Sequence, residues 1–216
     1  MKQETKNARH NVFWTLCIMG LFAILSSTIS KNPVLKPFAS SLGTPEGWIG
    51  FVASASTIPG ILISLPAASL SDIFGRKKFF LMAGFVFASA PFLYLLITVW
   101  WQLILVRFYH GFATAIFVPV AEASIAEFFP AKRGERISLF SSATCIGRVI
   151  APTLGGYILF VSSDNFQILY LAVAVAGITA LILGLPLLTE RKQHKITQRE
   201  SAKETVKRLF SGWRTV

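Results

Sequence analysis

Four stretches of this chain, 12–30, 47–71, 79–106 and 165–189, contain no Asp, Glu, Lys or Arg. Each is near or above the ~18 apolar residues that mark a helix able to cross a bilayer. Two further apolar windows carry sparse charge: 108–129 holds Glu122 and Glu127, and 137–163 holds Arg148. A single helix over 79–129 would be roughly 75 Å long at 1.5 Å per residue, far beyond a ~30 Å hydrocarbon core. The chain must reverse inside that stretch, and Trp100, Trp101 and Gln102 are the expected place because indoles settle at the membrane interface. The pattern predicts six helices, at about 11–38, 47–71, 79–99, 102–128, 137–162 and 165–188. Nothing shows the ~10-residue alternation of a barrel strand, so only an all-helical bundle satisfies this much backbone in lipid. Charged residues are 14% of the chain and mean hydropathy is +0.59, whereas a soluble domain carries about a quarter charged residues. The lipid bilayer is the first partner.

Placement of the cations sets the expected orientation. Lys2, Lys6 and Arg9 precede the first span, Arg76, Lys77 and Lys78 follow the second, and Lys132, Arg133 and Arg136 follow the fourth. Eight more, from Arg191 to Arg214, follow the sixth, against only Lys31 and Lys36 on the other side. By the positive-inside rule both termini are expected in the cytoplasm, with the protein in the cell's plasma or inner membrane. The organisation expected is a tail at 1–10, a bundle at 11–188 and a basic tail at 189–216, where Val206, Leu209, Phe210 and Trp213 recur at helical spacing. The net charge of +11 then reflects topology and attraction to the membrane surface, and no nucleic-acid partner is expected. The first span is not read as a cleaved leader, because its apolar run exceeds a 7–15-residue signal core and no A-x-A site follows. Cys17 and Cys145 both fall within spans and are read as small packing residues.

Between the second and third spans stands SLSDIFGRKKFF, 69–80. A positive-inside anchor explains Arg76, Lys77 and Lys78, with Gly75 as the turn, but leaves Asp72 unexplained. The stretch resembles the helix 2–3 loop of the major facilitator superfamily, G-x-L-a-D-R-x-G-R-R/K. Leu70, Asp72, Gly75, Arg76 and Lys77 match, whereas Ala68 and Ile73 depart from the pattern. RFYHGFATA, 107–115, is similar to that family's R-F-x-Q/H-G-x-x-x-A signature, and FFPAKRGERIS, 128–138, to its F-P-x-x-x-R-G-x-A segment, with Arg133 and Gly134 in register. GRVIAPTLGG, 147–156, resembles the G-x-x-x-G-P-x-x-G-G motif of its proton-coupled antiporters: Gly147, Pro152, Gly155 and Gly156 match, and Ala151 replaces a glycine.

The resemblance implies one six-helix half of that fold, a 3+3 inverted repeat, with the substrate site between two halves. It implies that the fifth span turns Gly147, Ala151, Pro152, Gly155 and Gly156 toward an opposite half. The 2–3 loop would latch there too, as a gate built from Asp72, Gly75, Arg76, Lys77, Glu127, Arg133 and Gly134. Small residues along one face permit close helix approach. Ionisable groups inside spans are costly and default to functional candidates. Arg107, His110, Glu122 and Arg148 are therefore the expected cavity or coupling residues. At 100° per residue Arg107, Gly111 and Glu122 share one face of the fourth span, and Glu127 lies nearly opposite as a counter-ion for Arg76 or Arg133.

No metal-ligand cluster, nucleophile–base pairing or Gly-rich nucleotide loop is present in the sequence, so neither an enzyme nor a cofactor is expected. The resemblance implies transport of a small solute, by proton-coupled efflux, from an amino-terminal half that stops where a seventh helix should begin. That half would work with a second half or with another copy of itself. The alternatives are a half-size protein acting as a homodimer and a non-transporting binding or regulatory membrane protein, since fold alone does not fix function.

Overall fold

The computed structural model describes residues 2–185, all helices and short turns, with no strand among them. In order these are α1 (Lys2–Ile29), α2 (Leu35–Ser41), α3 (Glu46–Ser54), α4 (Thr57–Phe74), α5 (Arg76–Leu95), α6 (Trp100–Phe128), a 3₁₀ turn (Pro130–Lys132), α7 (Arg133–Val161) and α8 (Phe166–Gly184). Six segments are long and apolar enough to cross a membrane: α1 from His10, α3 with α4, α5, α6, the turn with α7, and α8. The amphipathic tail expected at 189–216 lies outside the described residues.

Prolines explain two departures from uninterrupted spans. A proline lacks its N–H, and its ring clashes with the carbonyl four residues earlier. The helix expected over 11–38 instead ends at Ile29, four residues before Pro33, and resumes as α2. The helix expected over 47–71 runs from Glu46 to Phe74 but breaks at Ala55 and Ser56, four residues before Pro59.

The reversals are tighter than expected. Gly75, at φ +96°, is the whole connection from α4 to α5, so Arg76, Lys77 and Lys78 form the first turn of α5 rather than a loop. The turn before α6 is Leu96–Val99, not the tryptophans: the Gln102 side-chain oxygen accepts from the backbone N–H of Thr98 (2.9 Å) and Val99 (3.3 Å), so Trp100 and Trp101 already belong to the helix. Arg133 to Arg136 likewise open α7. Asn165 caps α8, its side chain accepting from the N–H of Gln167 and Ile168.

The closest helix pairs are α1 with α7, α5 with α8, α4 with α6, α5 with α6 and α1 with α8. Exchanging the first three spans for the last three maps this set onto itself, the relation an inverted repeat requires. Glycines permit the close approach in three of these pairs. A Cβ on Gly147 would lie 2.6 Å from the Leu21 carbonyl of α1, and Cβ atoms on Gly111 and Gly177 would collide with the carbonyls of Ser56 and Phe87.

Two apolar clusters divide the core. One gathers Phe13, Leu16, Phe80, Phe87, Phe117 and Phe140 toward the basic end, and the other gathers Ile29, Phe38, Tyr94, Leu103 and Tyr170 toward the opposite end. Where they meet, buried polar side chains collect: Ser26, Ser27, Ser30, Arg107 and His110.

Candidate functional site

At the basic end, three cations crowd the first turn of α5, where the helix dipole favours anions, so local preference does not explain them. Tertiary pairing explains the first. Arg76 reaches Asp72, one turn back on α4, at 2.6 Å, and Glu127, in the last turn of α6, at 2.9 Å. Its Nε donates a second bond to the same Glu127 oxygen at 3.0 Å. The Arg76 side chain is 19% exposed against 51% for Asp72, so solvent screens the pairs and each stabilises by only about 0–1 kcal/mol. The cluster's effect is geometric, since it fixes the α4–α5 turn against the end of α6. Glu127 thus pairs with Arg76, whereas Arg133 is exposed, Lys77 is half-buried and Gly134 stands in open space. Sequence reasoning missed Arg136, whose guanidinium lies over the rings of Phe13 (4.9 Å) and Phe129 (5.1 Å), joining α1 to the turn before α7.

Arg107 and Gly111, four residues apart on α6, share one structural task at the break between α3 and α4. Helix ends leave carbonyls without intrahelical partners. Arg107 takes two from the last turn of α3, donating from Nε to Val52 O at 2.8 Å and from Nη2 to Ala53 O at 2.9 Å. Its Nη2 also donates to Ser56 Oγ at 3.0 Å. Gly111 leaves the space that lets the Ser56 backbone come this near.

The four candidate cavity residues do not form one site. Arg107 and His110 are buried together in the polar layer, His110 Nδ1 lying 3.5 Å from both Ser30 Oγ and Tyr94 Oη. Neither opens onto a surface of the bundle. Glu122 is half-buried farther along α6, and Arg148 is exposed on α7; no ion pair joins these two among the described residues.

The small residues of α7 also require a correction. Gly147 packs on Leu21 and Leu25 of α1, Gly155 meets Ile29 and Val34, and Ala151 is fully buried. This row closes α7 onto α1 within the same bundle instead of waiting for an opposite half. The carbonyl of Leu21 has no other way to come so near. Pro152 and Gly156, turned partly aside, are half-buried. What stays uncovered on α7 is the neighbouring face, with Ile146, Val149, Tyr157 and Phe160 exposed, together with Ile61, Leu62 and Leu65 of α4. The second and fifth spans are 22% and 28% buried in the bundle, the first 56%.

The sequence profile of the Major Facilitator Superfamily matches residues 13–216. Among curated relatives, the MFS-type transporter MJ1560 of Methanocaldococcus jannaschii is 30% identical over 57% of this chain and 32% of its own length. Multidrug resistance protein 1 of Bacillus subtilis is 24% identical over 94% of this chain and 52% of its own. Multidrug resistance protein MdtL of Shewanella oneidensis is 28% identical over 84% of this chain and 45% of its own. The chain thus spans about a third to a half of the length of these relatives.

Proposed function

Because this chain belongs to the Major Facilitator Superfamily, we propose that it is the amino-terminal six-span half of a secondary transporter that exports a small solute against a flow of protons. Its basic end faces the cytoplasm of a cell whose plasma or inner membrane it spans. The observation that carries the reading is the pair of uncovered apolar spans, second and fifth, in a bundle whose match covers only 32% and 52% of the length of two such relatives. A second six-span bundle, continuous with this chain or separate, would cover those faces and complete the central cavity. The names of the multidrug relatives support efflux.

Alternating access needs one bundle rocking against another. The 216-residue chain as a demonstrated monomer is therefore expected to insert into liposomes yet drive no ethidium movement under an imposed pH gradient. The same chain joined to a carboxyl-terminal half is expected to drive it. Ethidium transport by the monomer would overturn the half-transporter reading, and movement indifferent to the pH gradient would overturn the proton coupling.

Arg148 is the expected contact to what fills the cavity. It is a cation on the mostly uncovered α7, where lipid contact would be costly. It meets a carboxylate of the second half or an anionic group of the solute. A planar guanidinium can bond both oxygens of a carboxylate, which an ammonium cannot match. Arg148→Lys is accordingly expected to lose most transport in the two-half protein, and Arg148→Gln all of it. Normal rates in both variants would leave Arg148 as a tolerated structural charge.

A further inference from the structure

The polar layer holds four buried atoms that make no hydrogen bond: Ser27 Oγ, Arg107 Nη1, His110 Nε2 and Tyr170 Oη. Their residues are 2%, 2%, 1% and 1% exposed. Such groups are rare in folded proteins, and each calls for an explanation. They belong to one neighbourhood. Arg107 and His110 are adjacent on one face of α6, and the Arg107 charge acts on Tyr94, His110 and Tyr170. The Tyr94 and Tyr170 rings stack at 4.5 Å, and Tyr94 Oη touches His110 Nδ1 at 3.5 Å. Ser27, on α1, lies one turn before Ser30, whose Oγ meets the same nitrogen.

All four atoms can donate. Ser30 gives its proton to the carbonyls of Ser26 and Ser27, so the hydroxyl left to donate to His110 Nδ1 is that of Tyr94. With Tyr94 as that donor the ring proton sits on Nε2, and this is the tautomer the site uses. The two Nη1 protons of the guanidinium, an imidazole N–H and two hydroxyls then stand in the layer without an acceptor.

Charge points the same way. Arg107 contacts carbonyls and the hydroxyls of Ser56 and Tyr94, and no carboxylate pairs with it among the described residues. The end of α3 offers it roughly half an elementary charge. Lys31, just beyond the end of α1, adds a second cation: burial and the fields of Arg107 and Arg148 pull its ammonium down to about 8. A buried cation with no counter-charge costs several kcal/mol. Water would satisfy the donors and leave that charge.

We infer that the layer between α1, α5, α6 and α8 binds one small inorganic anion of chloride size, held by Arg107 Nη1, His110 Nε2, Ser27 Oγ and Tyr170 Oη. The site sits inside a single bundle and needs neither a second half nor transport.

The test is thermal unfolding of the purified full chain in sodium chloride against sodium gluconate at equal ionic strength, with ³⁵Cl line broadening as the direct measure of binding. Chloride is expected to raise the midpoint saturably, and to raise the Lys31 pKa because an anion nearby favours the ammonium. Tyr170→Phe and Ser27→Ala keep the packing and remove one donor each; each is expected to weaken chloride binding about tenfold. Without an anion these two variants would be neutral or stabilising, since they delete an unsatisfied polar atom. Equal midpoints in the two salts with no line broadening would overturn the site. So would chloride binding that both variants leave unchanged.

Discussion

Arg76→Gln is expected to slow transport by the two-half protein about tenfold or more, the range set by coupling energies of contacting charged residues. Insertion and topology should be unchanged. The substitution leaves Asp72 and Glu127 facing each other with no cation between them, and it releases the α4–α5 turn from α6. Asp72→Asn is expected to slow transport less, because the Arg76–Glu127 bonds survive it. Pairing Arg76→Gln with Glu127→Gln should be no worse than Arg76→Gln alone, as for two residues in one interaction. Transport at the unmodified rate in Arg76→Gln would reduce the segment to a positive-inside anchor. Lys78, exposed at the same helix start, is the control: Lys78→Gln should leave the rate unaltered.

Gly111→Ala is expected to destabilise the bundle by about 1–3 kcal/mol through overpacking, and Gly111→Leu to yield no monodisperse protein in detergent. The new Cβ meets the Ser56 carbonyl, with the Ser56 C and Cα atoms at 3.0 Å. These are backbone atoms, and Arg107 holds them in place through Val52, Ala53 and Ser56. Nothing there can rotate out of the way. Gly60, on the uncovered helix α4, has no neighbour within 4 Å of its Cβ position, so Gly60→Ala should unfold no earlier than the parent. Equal melting of Gly111→Ala and parent would show that α4 and α6 do not meet as described.

The six spans were legible because lipid permits so few structures that uncharged windows nearly determine them. The Arg76 cluster was legible for a related reason, since Asp72 and Glu127 are two of very few carboxylates near apolar segments and helical rotation separated Glu127 from Glu122. The break at Ala55 was not legible. Pro59 precedes no special signal, and Pro66, Pro91, Pro119 and Pro152 sit inside helices that continue through them. What selects Pro59 is Arg107, a residue 48 positions later that gathers the released carbonyls. The small residues of α7 show the limit of pattern reading from the other side. Gly147, Ala151 and Gly155 announce a close neighbour without saying which helix it is, and the neighbour is α1.

The break in the second span also bears on how the chain enters the membrane. When that span leaves the ribosome, the carbonyls of Val52 and Ala53 have no donor, and each unsatisfied polar group in hydrocarbon costs several kcal/mol. Arg107 brings its own insertion cost of about 2.5–3.5 kcal/mol near a helix centre. Neither span is comfortable in lipid alone, and each relieves the other once α6 arrives. The Arg107 bonds thus join the second and fourth spans in one stability unit, and Arg107→Ala is expected to weaken membrane insertion of the second span as well as the folding of the fourth.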